Sequence, residues 1–536
     1  MGLTKKIFSS FSAVEKKWFF SALAVLVLAS LTDVTLAIKD NSVMMPIAGG
    51  SYHEGFLGQP TALNPIISQN PIDQEISGLI FSRLSDLLST SDLSADGRTY
   101  TLKLKENLKW DDGEPLTSDD VVFTIKTAQN SDVHSPFEKS WQGIAVERDS
   151  ELEVKLTLPL SYTFFTSNIN WLPIIPKHIF GAIPTENFRL SDYNLEPVGS
   201  GPYKFSNFTK KKNGFISQYH FVPNPNYAGD KPYIKDFYFN FFQNSDDLFH
   251  AIEIHDVNGF GSATPVDFDV SKTKGVTEQK LAMSDYYAIF FNQNSNPILK
   301  DDGIRAALES AVDKDQIIKE ALNGGGTDVN APGFVGNPPI GDNSNYNEDA
   351  AKKMISDFKA KNKNEQIDIV LTIPDVDFLE KTAALIKTDW ENIGIDQVGI
   401  KTFNPDDPSD GTLESRDYEM LLFGNVLENP ADLFPFWHSS QRIYPGFNLA
   451  IYQNQKVDNL IETIRQTNDE GTQANLLSQA QNAILNDGSA IFLFSLPYTY
   501  IHTSDLGGFN NDLVTNPAER FRNANEWYIS QIRVIK

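Results

Sequence analysis

The spacing of apolar and polar residues predicts strands and amphipathic helices from about residue 100 onward. Residues 100–110, YTLKLKENLKW, alternate with a period of two, which predicts a strand. The turn sequence DDGEP follows, and residues 116–128, LTSDDVVFTIKTA, carry apolar residues at helical spacing. Thr117 or Ser118 supplies the cap of that helix. We therefore expect a strand, a turn and a helix in this order.

Further elements follow along the middle of the chain. Residues 151–158, ELEVKLTL, alternate like a strand with one buried face. Residues 236–242, DFYFNFF, predict a strand so rich in aromatic residues that both of its faces are expected to be buried. Residues 304–322 have the spacing of one amphipathic helix.

A strand–helix–strand unit near residue 400 indicates the fold class and points to a site. Residues 367–373 predict a strand, residues 378–395 a helix, and a second strand follows, an order typical of α/β folds with parallel strands. Residues 418–424 predict a further strand, and residues 425–434, NVLENPADLF, come directly after it. Ligands of open α/β sheets bind beyond the carboxyl ends of strands, so residues 425–434 are a candidate binding segment.

The N-terminus predicts export from the cytoplasm. Residues 18–31 are apolar without interruption, which is the length of a signal-peptide core. Extended to residue 38, the segment is long enough to cross a bilayer. Four lysines in residues 1–17 place this basic end in the cytoplasm. Residues 18–38 are thus a signal segment or a transmembrane anchor, and we favour an anchor that is not cleaved.

Composition and charge narrow the function classes. A chain of 536 residues exceeds the size of one hydrophobic core and predicts two or three domains. A net charge of −25 repels phosphate backbones, so no nucleic-acid partner is expected. The chain has no cysteine, which excludes disulfides, thiolate catalysis, Cys-ligated zinc and a lipoprotein anchor.

The sequence carries none of the short motifs that mark common enzymes. Its eight histidines include no HExxH spacing, and there is no GxSxG, GxxxxGK or strand-linked GxGxxG motif. We therefore predict that the protein is not an enzyme and uses no metal and no cofactor. A hydrolase that uses cleft carboxylates is the remaining catalytic alternative.

Five stretches, taken together in order, resemble the family 5 extracellular solute-binding proteins, which are the peptide- and nickel-binding subunits of ABC importers. They are residues 97–126, 172–180, 197–205, 223–242 and 286–318. Each stretch alone is modest evidence, but their order over some 430 residues is specific.

This resemblance implies an α/β fold of two lobes that are joined by two strands and close by hinge rotation. Residues 47–275 would form lobe one, with an extra domain inserted at about residues 90–190. Residues 276–495 would form lobe two, and residues 496–536 would return to lobe one.

The resemblance also implies a function outside the cytoplasm. The protein would act as a monomer that captures oligopeptides by hinge closure and delivers them to the permease subunits of an ABC importer. The alternatives are a non-peptide solute, such as a glycan or a metal chelate, and a membrane-anchored sensor without transport. Peptides would bind through their backbone as an added strand.

The resemblance assigns binding roles to residues around the candidate segment. Peptide binders of the family carry an aspartate four residues before the proline, where it pairs with the ligand's α-ammonium, and here that position is Val426. Phe423 matches an aromatic residue that stacks on the ligand. Asn425 and Glu428 are the nearby polar substitutes. On the opposite lobe, the stretch GFLGQPTALNP offers Gln59, Thr61 and Leu63 as ligand contacts.

Overall fold

The computed structural model describes residues 10–334, 345–363, 365–405, 407 and 409–535. Most of the predicted basic segment 1–17 lies outside the described residues. The α-helices are α1 (Ala13–Asp40), α2 (Pro71–Ile80), α3 (Leu84–Leu87), α4 (Ser118–Ala128), α5 (Glu138–Trp141), α6 (Phe165–Trp171), α7 (Lys177–Phe180), α8 (Ser245–Glu253), α9 (Asp302–Ala311), α10 (Lys314–Glu320), α11 (Glu348–Lys361), α12 (Asp377–Asn392), α13 (Thr412–Ser415), α14 (Phe434–Trp437), α15 (Gln455–Gln466) and α16 (Glu470–Asn486).

The strands fall into four sheets. They are β1 (Ser42–Pro46), β2 (Ser51–Leu57), β3 (Leu88–Leu93), β4 (Thr99–Leu104), β5 (Ala145–Ser150), β6 (Glu153–Thr157), β7 (Tyr203–Lys210), β8 (Ile216–Pro223), β9 (Asp236–Phe242), β10 (Gly259–Ser262), β11 (Val276–Met283), β12 (Asp285–Phe291), β13 (Thr327–Asp328), β14 (Asp368–Pro374), β15 (Gln397–Phe403), β16 (Met420–Val426), β17 (Ala490–Ser495), β18 (Tyr498–Thr503), β19 (Leu513–Val514) and β20 (Gln531–Ile535).

Two large sheets define two lobes. Lobe one is built on an eight-stranded sheet in the order β19-β11-β18-β10-β2-β9-β8-β7, and lobe two on a six-stranded sheet in the order β13-β17-β12-β16-β14-β15. A four-stranded sheet, β3-β4-β6-β5, forms a separate layer beside lobe one, and β1 pairs with β20. In lobe two, β14 runs parallel to both β15 and β16. The predicted parallel α/β unit is therefore confirmed.

Several predicted elements are confirmed, and two need correction. Thr117 caps α4 and accepts a hydrogen bond from the backbone N–H of Asp119. The strand predicted for residues 100–110 ends at Leu104, because the chain turns at Asn107, whose φ is 59°. The single helix predicted for residues 304–322 is two helices, because Asp313 breaks the run and caps α10.

The segment predicted to be an anchor or a signal, residues 18–38, lies within α1. Across the described residues, no helix has both the length and the apolar character that a membrane span requires.

The chain passes between the lobes at two short segments. One connects β11 to β12 through Ser284, and the other connects β17 to β18 at residues 496–497. The buried carboxylate of Asp285 joins the two segments, because it accepts hydrogen bonds from the Ser495 hydroxyl (2.5 Å) and from the backbone N–H of Leu496 (3.3 Å). These segments form the hinge.

A buried charge network ties lobe one together. The guanidinium of Arg520, fully buried, donates to the carboxylate of Glu54 in β2 (2.8 Å) and to Glu75 in α2. Tyr500 in β18 donates its hydroxyl to the same Glu54 carboxylate (2.8 Å), and Tyr52 lies 2.6 Å from the Tyr500 hydroxyl. Burial alone would lower the pKa of Arg520, but the neighbouring carboxylates raise it well above its ordinary value. The arginine is therefore held as a cation.

Loss of this cation is expected to destabilise lobe one strongly. The substitution Arg520→Met leaves two buried carboxylates without a counter-charge, which costs about 3–5 kcal/mol of the free energy of unfolding. Urea unfolding followed by circular dichroism measures the loss. Arg148→Met is the matched control, since Arg148 makes an exposed ion pair with Asp119, and such pairs contribute less than about 1 kcal/mol. Equal losses in the two variants would contradict the assigned role.

The carboxylate of Asp285 in the hinge is expected to make the free energy of unfolding depend on pH. Burial raises the pKa of Asp285 to about 7, so the folded state prefers the protonated form. Its contribution to stability is therefore complete in acid and is lost as the pH rises through about 7. Tyr287 is the titratable neighbour, and burial together with the Asp285 charge raises its pKa.

Asp285→Asn imitates the protonated carboxyl and should remove this dependence. Between about pH 5.5 and pH 8, the unaltered chain is expected to lose on the order of 2 kcal/mol more unfolding free energy than the variant. Urea unfolding curves at the two pH values give the comparison. Asp149→Asn, at an exposed position in β5, should behave like the unaltered chain. Parallel pH profiles for the unaltered chain and Asp285→Asn would refute the assignment.

Candidate functional site

A cavity of about 1030 Å³ lies between the two lobes. Lobe one contributes α2 and the residues that follow it, together with residues 515–518. The layer built on β3–β6 contributes residues 136–144 and 158–173. Lobe two contributes the end of β16 and the loop that follows. A second, smaller cavity of about 260 Å³ lies against the hinge and includes Leu496.

The end of β16 presents three of the predicted site residues. Val426 is half exposed and lines the cavity, as does Phe423, whose ring stacks on Phe403 at a centroid distance of 6.4 Å. Asn425 also belongs to the wall, but it is 3% exposed and donates its side-chain amide to the Tyr286 hydroxyl (2.9 Å). Phe423 and Val426 therefore offer apolar surface, whereas the Asn425 amide is already engaged.

Like Glu138 on the opposite wall, Glu428 is an acidic residue of the cavity whose carboxylate is left for a ligand. Among the described residues, none donates a hydrogen bond to its carboxylate or forms an ion pair with it. Its side chain is exposed and lines the cavity. The protein atoms around the carboxylate, together with the negative charge of Asp432, raise its pKa. A cationic group in the cavity would reverse that shift and stabilise the carboxylate.

The site is coupled to the hinge through the backbone. Val426 stands opposite Asp285 in the β12–β16 pairing. The next residue, Leu427, donates its backbone N–H to the carbonyl of Ser284 (2.6 Å). The binding segment and the first hinge segment therefore move as one unit.

The structure does not bring the lobe-one candidates into the cavity wall. Thr61 donates its hydroxyl and its backbone N–H to the Asp73 carboxylate (2.6 and 2.8 Å). The side-chain oxygen of Gln59 accepts from the backbone N–H of Ile216 (2.9 Å). Leu63 is fully buried in the core of lobe one. Each side chain serves a structural contact, and ligand binding by these three residues stays a prediction.

A polar contact outside the predicted site residues joins the lobes at the cavity. We call Tyr162, Asp432 and Arg465 the interlobe clamp. Arg465 donates two hydrogen bonds to the Asp432 carboxylate (2.8 and 2.7 Å), and Tyr162 donates its hydroxyl to the same group (2.9 Å). The guanidinium lies 4.8 Å from the Tyr162 ring centroid and 3.9 Å from that of Phe434. These contacts fix one end of the cavity.

A second interlobe contact lies farther along the wall. Lys139 donates to the backbone carbonyl of Pro445 (2.8 Å) and lies over the ring of Phe447 at 5.1 Å. The sequence signal for the wall opposite residues 425–434 is the cluster of aromatic residues between positions 162 and 171. No periodicity relates this cluster to residues 425–434.

The family model "Bacterial extracellular solute-binding proteins, family 5 Middle" matches residues 84–443. That is well over half of the chain. The chain belongs to this family. The family's description places its members outside the cytoplasm.

Relatives of this family 5 protein extend over most of its length. It is 24% identical over 537 residues to the oligopeptide-binding protein AppA of Bacillus subtilis (strain 168). The alignment covers 91% of this chain and 93% of AppA. The solved structure of the ABC transporter substrate-binding protein CtaP from Listeria monocytogenes matches with a TM-score of 0.77 and 26% identity, covering 90% of this chain and 99% of CtaP.

AppA from Bacillus subtilis, solved in complex with a nonapeptide, matches with a TM-score of 0.71 and 23% identity, covering 91% of this chain and all of the AppA chain (100%). These matches confirm the predicted two-lobed α/β fold class.

The interlobe clamp is expected to favour the closed arrangement of the two lobes. Tyr162→Phe removes only the hydroxyl that donates to the Asp432 carboxylate. A hydrogen bond to a charged group contributes about 1.5–3 kcal/mol, so the variant should open more often. Small-angle X-ray scattering of the full chain should then give a larger radius of gyration. Tyr193→Phe, an exposed tyrosine outside the clamp, should leave the profile unchanged. Identical profiles for all three proteins would contradict the role of the clamp.

Proposed function

We propose that this protein is the solute-binding subunit of an ABC importer and that its solute is an oligopeptide. The two lobes close around the peptide by rotation at the hinge, and the closed form presents the peptide to membrane permease subunits. A ligand drives this closure only through its higher affinity for the closed form.

The observation that carries the proposal is the cavity between two lobes that, within the described residues, are joined by two short segments. Its volume of about 1030 Å³ lies at the upper end of the range for small-molecule sites. Aromatic and proline residues from both lobes supply apolar surface that accepts varied side chains. AppA, a relative along nearly the whole chain, is an oligopeptide-binding protein and supports the choice of ligand class.

Glu428 takes the role of the amine partner in this proposal. Val426 stands where the family's peptide binders have an aspartate, and it cannot pair with an ammonium. Glu428 lies two residues farther along the same wall, and its carboxylate lacks a partner among the described residues. A buried ammonium requires such a charge. Phe423 and Val426 then contact the first residues of the peptide, and Asn425 orients the strand end.

The chain divides, in this proposal, as its resemblance to the family implies. The resemblance gives residues 47–275 as lobe one, with the extra domain inserted at about residues 90–190, and residues 276–495 as lobe two. Because β11 pairs within the lobe-one sheet, we move the boundary between the lobes to Ser284. Residues 496–536 return to lobe one. Residues 18–38 direct export, and the exported body works as a monomer with its permease.

The proposal predicts that peptides bind and that the amine contact depends on Glu428. The full chain, incubated with a pool of random-sequence peptides, should retain adducts spaced by amino-acid residue masses in native mass spectrometry. Glu428→Gln should raise the Kd of peptides with a free α-ammonium by about tenfold, the size of one charge-assisted hydrogen bond. N-acetylated peptides should bind both proteins alike.

The control variant is Glu147→Gln, at an exposed position in β5 outside the cavity wall. It should bind every peptide like the unaltered chain. Binding of ammonium-bearing peptides should also weaken as the pH falls, because Glu428 must be ionised and its pKa is raised. An unaltered chain that retains no member of the peptide pool would overturn the proposed function.

A further inference from the structure

Three cationic side chains line the described part of the cavity wall, and two of them are already engaged. Arg465 holds the Asp432 carboxylate in two hydrogen bonds, and Lys139 donates to a backbone carbonyl of lobe two. Arg83 differs from both. Its guanidinium donates no hydrogen bond to any residue that the structure describes, and the nearest carboxylate oxygen, on Glu519, lies 3.9 Å from its Nη1 atom.

Arg83 is also buried to a degree that is unusual for a charge without hydrogen bonds. Its side chain is 12% exposed, and it lines the cavity. Burial lowers its pKa despite the favourable charges of Glu519 and Asp86. A buried cation is costly unless acceptors satisfy its donors, so unused N–H groups at a cavity wall indicate an acceptor that arrives with a ligand.

The surrounding chain holds this guanidinium in place. Arg83 pairs with Pro173 in an isolated bridge, and the next residue, Leu84, donates its backbone N–H to the carbonyl of Leu172 (2.8 Å). The guanidinium lies 4.5 Å from the ring centroid of Trp171, which also lines the cavity. An aromatic platform fixes the plane of a guanidinium and leaves its edge free for a planar, two-oxygen acceptor.

We propose that Arg83, held against Trp171, binds a carboxylate of the ligand. This inference rests on the proposed function and deepens it. Arg83 belongs to the lobe-one side of the cavity and Glu428 to lobe two. A ligand with both an ammonium and a carboxylate therefore bridges the lobes through two charge-assisted contacts, and it favours the closed form more than a ligand with one charge.

The carboxylate is either the C-terminus of the peptide or an acidic side chain. Glu519 keeps the guanidinium charged, but at 3.9 Å it leaves the N–H donors free for a closer acceptor. A carboxylate at about 2.8 Å can accept two of them at once, as arginine forks commonly allow.

Three matched pools of random-sequence nonapeptides distinguish the two sources. The first pool has free C-termini and no Asp or Glu, the second has amidated C-termini and no Asp or Glu, and the third has amidated C-termini and one Glu in each peptide. Native mass spectrometry of the full chain, mixed with equal amounts of all three, measures what is retained. Recognition of a C-terminal carboxylate predicts at least about tenfold preference for the first pool over the second. Recognition of an acidic side chain predicts the same preference for the third pool.

Arg83→Gln should abolish whichever preference the unaltered chain shows, and Arg83→Lys, which keeps the charge without the fork, should retain part of it. Arg148→Gln, which changes an exposed arginine of β5, should keep the full preference. The comparison of the three pools on the unaltered chain still tests for a carboxylate subsite if a variant fails to fold.

Equal retention of the three pools by the unaltered chain would overturn the carboxylate subsite while leaving peptide binding intact. A preference that survives in folded Arg83→Gln would overturn the assignment to Arg83. No retention of any pool would overturn the proposed function together with this inference.

Discussion

The buried guanidinium of Arg520 is the contact on which the binding wall of lobe one depends. It joins β2 to α2 through Glu54 and Glu75, and the hydroxyl of Tyr500 brings the hinge strand β18 to the Glu54 carboxylate. These segments lie far apart in sequence, so no local preference could hold them together. Helix α2 supplies one wall of the cavity, and Ala518, two residues before the arginine, belongs to it too. A buried cation with two carboxylates tolerates little displacement, because each lost hydrogen bond leaves a charge exposed to apolar surroundings. The network therefore fixes the position of β18, the strand next to the hinge, relative to β2 and α2.

Lobe two is also connected to the hinge, in this case through the pairing of two strands. The strand that ends in the binding segment pairs with the strand that leaves the hinge, and Val426 lies opposite Asp285. Asp285 also accepts from both Ser495 and Leu496 of the second hinge segment. A ligand that displaces the end of β16 consequently acts on the first hinge segment through backbone hydrogen bonds and on the second through the buried side chain of Asp285. The interlobe clamp acts at the far side of the cavity, so closure is constrained at both ends.

Local signals in the sequence were enough for much of this architecture. The cap at Thr117, the parallel unit around β14 and the aromatic strand β9 follow from periodicity and turn chemistry that neighbouring residues decide. The structure also requires glycine at position 199, since a Cβ there would lie 2.2 Å from the carbonyl oxygen of Ile80. Only the lobe-two wall of the cavity could be predicted from the sequence. Residues 425–434 were found because they follow a parallel strand, whereas the opposite wall comes from a layer that has no sequence relation to them. Thr61 donates to Asp73, a pairing that depends on tertiary structure and that the sequence does not reveal, and its contact with a ligand stays a prediction.

In the proposed function, the absence of an aspartate at position 426 moves the contact with the ligand's ammonium to Glu428. The side chain at 426 lies at the end of a strand whose position is fixed by pairing with β12, so a carboxylate there would be rigid and close to the buried Asp285. Two such acids near one hinge would repel each other and raise each other's pKa. Glu428 lies beyond the strand, on a loop, and has a longer side chain. Its acidic neighbour Asp432 is ion-paired with Arg465, although the Asp432 charge still raises the pKa of Glu428. This placement separates the amine contact from the hinge carboxylate.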